Sequence, residues 1–172
     1  MPRGGQRLNL KLSQNKVETV IMKRLMALLS VVLLQTSHAQ DQMELGKSVY
    51  MQLCVACHQP TGMGLPPVFP PLTQTDYVSG SPERFAAMIL KGVIGPITVK
   101  GMTYNNVMPP QEALLTDEKI AAAITYVRGS FGNTSAAVPP DVVKATRAKF
   151  LERKTSWTEA DLKAWPGAEA AK

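Results

Sequence analysis

Residues Cys54-Val55-Ala56-Cys57-His58 carry the reading from which the rest follows: both cysteines of the mature chain, three apart, with a histidine directly behind the second. On a helical turn, residues three apart share a face. Two thiols so placed reach the two vinyl groups of one haem, and His58 falls beneath the iron as its proximal ligand. Cys-x-x-Cys-His is the c-type haem attachment pattern. Three rivals explain less. A structural zinc site needs about four ligands, and the chain offers no second Cys/His cluster. A thioredoxin-like redox pair expects a βαβ setting that the pattern lacks. A short-loop disulfide leaves His58 idle.

The environment of the motif agrees with export. Residues 22–40 run from a basic pair, Lys23 and Arg24, through an apolar stretch, Leu25 to Leu34, to small residues at Ser37 and Ala39. That is the order of a secretory signal peptide, and the apolar run is well short of the roughly twenty residues of a membrane-spanning helix. Cleavage after Ala39 and a periplasmic location are expected. Residues 1–21, followed by a fresh Met22, read as a spurious upstream extension. The formal charge of +6 comes from the same region, since residues 1–39 hold six basic residues and one acid and leave 13 basic against 12 acidic beyond. A near-neutral working chain removes the main support for a nucleic-acid partner.

His38 lies in the leader, so the mature chain has no imidazole besides His58. A second protein ligand to the iron is then a methionine thioether, which favours the reduced state. Met43 and Met51 precede the motif on its own helix, Met63 follows His58 too closely, and Met88 fits a helical apolar stripe. Met102 and Met108 remain, both on a Gly/Pro/Asn-rich segment. Met108 is the choice because Pro109 and Pro110 restrict the backbone that carries it, with Met102 as the alternative.

Together CVACH and VMPP, in this order and separation, resemble a monohaem class I cytochrome c over roughly Asp41 to Gly132. The matching pieces are GKSVYMQLCVACHQPTGMG, PPVFPPL, YNNVMPP and LTDEKIAAAITYVRGSFG. The stretch GPITVKGMTYNNVMPP is similar to cytochrome subunits or domains that accompany quinoprotein dehydrogenases and copper nitrite reductases. The resemblance implies an all-α cytochrome c fold, a small helical domain wrapped around one covalently attached haem c. It implies Cys54 and Cys57 as thioether attachments and His58 and Met108 as axial ligands. It also implies Pro70 as the carbonyl that accepts the proximal histidine's ring N–H, and Leu72 as a residue packing on the haem face.

Residues 40–133 are expected to form the cytochrome domain, 134–140 a linker and 141–172 a C-terminal helical extension. Leu45, Val49 and Leu53 predict an amphipathic helix over about 43–54. Gly46 shares a face with Tyr50 and suits a close helix crossing, for which Tyr126 is the candidate partner, with ordinary core placement the alternative for that tyrosine. Residues 59–80 read as loop. Ser81-Pro82-Glu83 predicts a helix start, Phe85, Met88 and Ile89 its inner stripe and Gly92 its end. Thr116 caps a last core helix with Ile120, Ile124 and Val127 inward. In the extension, Ser156 to Glu159 fits a capping box, and the two tryptophans, Trp157 and Trp165, suit either partner docking or folding back onto the domain.

No catalytic constellation accompanies these features. The expected function is a single-electron carrier working with redox protein partners. A haem-c enzyme or gas sensor with an open sixth position is the rival, and an obligate subunit of a dehydrogenase or reductase is a third reading.

Overall fold

The computed structural model describes residues 22–24, 26 and 40–166. The leader therefore lies almost wholly outside the described residues. Among these residues no helix is long and apolar enough to cross a membrane.

Helix α1 spans residues 41–58 in three joined parts: an α-helical run over 41–49, a π-turn Tyr50–Cys54 and a final turn Val55–His58. The helix thus continues through the attachment motif instead of stopping at Cys54. In the π-turn the Val55 N–H donates to the Tyr50 carbonyl, which adds a residue to one turn and re-aims everything after it. The buried face of α1 is Gly46, Val49 and Tyr50, while Leu45 and Leu53 are exposed. Of the 45/49/53 stripe only Val49 is buried; the buried face is the one that Gly46 and Tyr50 share.

Gly46 is where α1 meets α4 (Asp117–Arg128). A Cβ there would run into the Ala122 carbonyl and stand 2.8 Å from the Tyr126 Cβ, so the close crossing at Tyr126 is present. Alanine normally gains about 1 kcal/mol over glycine inside a helix. Here overpacking reverses the sign, and Gly46→Ala is expected to lower stability by about 2 kcal/mol in urea unfolding.

Between these helices lie α2 (Asp76–Ser79), α3 (Pro82–Lys91) and an antiparallel hairpin, β1 (Pro96–Val99) and β2 (Met102–Asn105), with Ile97 opposite Tyr104. The short α2 interrupts the segment read as loop. Its N-cap is Thr75, whose hydroxyl accepts from Val78 N–H. Ser81 and Thr116 cap α3 and α4 as predicted, and Gly92, with φ 72°, ends α3.

The C-terminal segment turns back over the domain. Val138 is buried, and its N–H donates to Thr125 Oγ1 at 2.9 Å. Helix α5 (Pro140–Lys149) packs against both α3 and α4. Its Arg147 donates to Asp117, to the Glu112 carbonyl and to the Leu115 carbonyl. Helix α6 (Glu159–Lys163) starts at a capping box of Thr158 and Asp161, two residues beyond the predicted one. The Thr158 backbone N–H, the Thr158 hydroxyl and the Arg153 guanidinium together hold the Asp161 carboxyl below its ordinary range. Trp157 and Trp165 are both buried, packed with Phe150 at ring centroid separations of 4.9 to 5.5 Å. Of the two roles open to these tryptophans from sequence, folding back is the one observed. This cover explains why α3 is buried from Arg84 to Lys91 and not only along one stripe.

Candidate functional site

Among the described residues a large cleft opens between α1, the loop after it, α3 and the segment following β2. It spans about 1340 Å³ with the open solvent at its mouth counted. Cys54, Cys57, His58, Pro70, Leu72 and Met108 all line it. The rest of its wall is overwhelmingly apolar, with Phe85, Met88, Ile89, Val93, Ile97 and Val127 prominent. Leu53 and Val107 line it while 44% and 54% exposed, so they mark its mouth.

The π-turn delivers Cys54, Cys57 and His58 to this cleft at the end of α1. Both cysteines are free and half-buried. Burial first, then the neighbouring Cys57, pushes the Cys54 thiol up to about 11. It is therefore protonated at neutral pH. Burial also lowers the basicity of His58, against the opposing effect of the Pro70 carbonyl. The imidazole is neutral, and its Nδ1–H donates to Pro70 O at 3.0 Å. That leaves Nε2 as the unprotonated nitrogen, the form in which histidine binds a metal.

Pro70 O is held in place by the loop it belongs to. Gly64 N–H donates to His58 O, Leu65 and Phe69 exchange backbone hydrogen bonds, and Leu72 N–H donates to Gly62 O. Asn133, buried at the end of α4, fixes the far side of this loop. Its Nδ2 donates to Leu72 O at 3.0 Å and to Val127 O at 2.8 Å, and its Oδ1 accepts from Gln74 N–H. Nothing in the sequence singles out Asn133. The Tyr50 hydroxyl donates to Gln59 O at 2.6 Å and restrains the turn just beyond His58; burial raises its pKa.

Met108 lines the cleft from the segment that follows β2. Its backbone exchanges two hydrogen bonds with Val93, at 2.9 and 3.0 Å. The next residues are stitched to the end of α3, Gln111 N–H to Ile89 O and Glu112 N–H to Leu90 O, with the buried Lys91 paired to Glu112 at 2.7 Å. Gly92 permits this approach, because a Cβ there would collide with Met108 O. Met102, the alternative from sequence, is 44% exposed on β2 and does not line the cleft. Met88, assigned to a helical stripe, lines it as well, which periodicity alone does not reveal.

Residues 41–127 match the family described as "Cytochrome C oxidase, cbb3-type, subunit III". The chain belongs to the cytochrome c family. It is 36% identical over 115 residues to cytochrome c-552 of Thermus thermophilus, covering 62% of this chain and 86% of that protein. It is 33% identical over 110 residues to the fructose dehydrogenase cytochrome subunit of Gluconobacter japonicus, covering 60% of this chain and 22% of that one. The gluconate 2-dehydrogenase cytochrome c subunit of Pantoea cypripedii is 30% identical over 99 residues, 56% of this chain and 22% of that subunit. As a cytochrome c the protein is a haem-dependent electron carrier with a mostly helical fold. The donor set fits that cofactor: one neutral imidazole, thioethers and two thiols facing an apolar cleft. Among the described residues no group of three or more His, Cys, Asp and Glu side chains is arranged to hold a metal ion.

Proposed function

We propose that this protein is a periplasmic single-electron carrier with one haem c, attached through Cys54 and Cys57, ligated by His58 and Met108, and serving a redox enzyme. The observation that carries the reading is the His58 Nδ1–H bond to Pro70 O. It fixes the tautomer and orientation of the only imidazole among the described residues, in a cleft that Met108 also lines.

Bound haem supplies an iron that cycles between ferric and ferrous states. The chain's part is to hold and tune it. Cys54 and Cys57 would hold the haem through thioether bonds to its two vinyl groups, an addition in which sulfur goes to one carbon and hydrogen to the other and nothing leaves. His58 donates its Nε2 lone pair, and the Pro70 carbonyl makes that nitrogen a stronger donor. A thioether from Met108 favours the ferrous state. Leu72, Ile89 and the apolar wall exclude water, and Leu53 and Val107 leave an apolar mouth through which a partner can approach. The cytochrome subunits of sugar and sugar-acid dehydrogenases among its relatives favour a dehydrogenase as that partner. The reading with an open sixth position gains no support from a cleft that Met108 lines.

The test is intact mass and visible spectroscopy of the exported protein. The expected result is residues 40–172 plus the mass of one haem, a six-coordinate low-spin spectrum and a thioether-to-iron charge-transfer band in the oxidised state. Free thiols with no added mass, or a high-spin five-coordinate spectrum, overturn the proposal.

A further inference from the structure

Val93 is the middle of a three-segment ladder that ties the C-terminal tail to Met108. Its own N–H and C=O face Met108 and make both bonds of that antiparallel pair. The flanking groups face the other way: Trp157 N–H donates to Gly92 O and Ile94 N–H donates to Trp157 O, both at 2.9 Å. Strand pairing of this kind alternates sides, so a residue can be held from two directions at once. Trp157 is 5% exposed, and its indole Nε1–H donates to Ala87 O on α3 at 2.8 Å. The Arg153 guanidinium lies 3.7 Å above its ring centroid. The same apolar cluster contains Met88, Val93, Ile97 and Tyr104, with Met108 packed against it. Four of these, Met88, Val93, Ile97 and Tyr104, also line the cleft, so the tail forms the outer side of the wall that carries Met108.

We propose that Trp157 is a positioning residue for Met108: anchored on α3 through its indole, it holds Val93 from behind and thereby fixes the methionine segment against the cleft. The inference rests on Met108 being the second axial ligand. Without the indole the backbone of residue 157 keeps the groups that bond Gly92 and Ile94 but loses its anchor on Ala87 O, so the pairing opens more often and Met108 leaves its place more often. Imidazole competes for that place, so its apparent affinity scales with the fraction of molecules in which Met108 is off.

The experiment uses the full-length haem-loaded protein and free imidazole as the probe. Trp157→Ala is expected to bind imidazole about tenfold more tightly than wild type and to show a weaker thioether charge-transfer band. Trp157→Phe, which keeps a ring in the cluster but has no N–H for Ala87 O, is expected to fall between wild type and the alanine variant. Trp165→Leu disturbs the same aromatic cluster, but Trp165 bonds through its backbone N–H to Leu162 and not to the Val93 strand. It is expected to lower thermal stability while leaving imidazole affinity near wild type. Trp157→Leu replaces the alanine variant if the latter does not mature with haem. Wild-type imidazole affinity and band in Trp157→Ala or Trp157→Leu overturn the positioning role, as does an equal shift in Trp165→Leu. A band absent from wild type, or surviving in Met108→Ala, instead overturns the ligand assignment beneath it.

Discussion

Serine at both Cys54 and Cys57 is expected to yield an exported chain with no covalently bound haem. A hydroxyl does not add to a vinyl group under conditions where a thiol does, and the chain has no other cysteine to substitute. The consequence for folding is as large as that for colour. The cleft brings together side chains from α1, α3, the Val93–Met108 ladder and α4, and these walls face one another across the space that the cofactor fills. A group bound only to the native state at a thousandfold excess over its Kd adds about 4 kcal/mol. Its loss lowers the melting temperature by roughly 10–30 °C for a domain of this size. Mass spectrometry under denaturing conditions and thermal unfolding of the double variant measure the two effects. Covalent haem in the double variant, or an unchanged melting temperature, contradicts the assignment of these thiols.

Replacing Met108 by alanine is expected to abolish the thioether charge-transfer band and lower the reduction potential while the haem stays attached. A thioether prefers ferrous iron. If its loss removes about a hundredfold of that preference, the potential falls by ~120 mV, at 59 mV per tenfold for one electron. The backbone bonds between Met108 and Val93 do not depend on the side chain, so the segment should persist with its sulfur gone. Met102→Ala is the control: that residue stands on β2 away from the cleft, and its replacement should leave band and potential unchanged. The reverse pattern, with the band lost in Met102→Ala and kept in Met108→Ala, exchanges the two assignments.

The parts of the site that sequence made legible are those set by chemistry and short-range spacing. Cys54, Cys57 and His58 lie on one turn, so their common destination follows from helix geometry. Ser81, Thr116 and Gly92 act through their own backbone neighbourhood and sit where their residue types require. Pro70 came from family resemblance, since nothing local indicates which of four nearby prolines offers its carbonyl to His58. Asn133 gave no signal. It is an ordinary polar residue until the loop at 72–74, about sixty residues away in sequence, presents Leu72 O and Gln74 N–H to the same amide that bonds Val127 O at the end of α4. The capping box of α6 was misplaced by two residues because serine, threonine and acidic residues crowd that stretch, and only the chain's return path decides which pair closes.

Sequence by itself determined the haem-attachment motif, the number of imidazoles and the caps of α3 and α4, because each depends on residue identity and on neighbours within a turn or two. Only the tertiary structure decided that Leu45 and Leu53 stay exposed while the Gly46 face is buried, since that depends on the Ala122 carbonyl the glycine admits. It also placed Met108 on the cleft and Met102 away from it, and it buried Trp157 against the strand that pairs with Met108. Those outcomes depend on pairings between segments tens of residues apart, which local pattern does not encode.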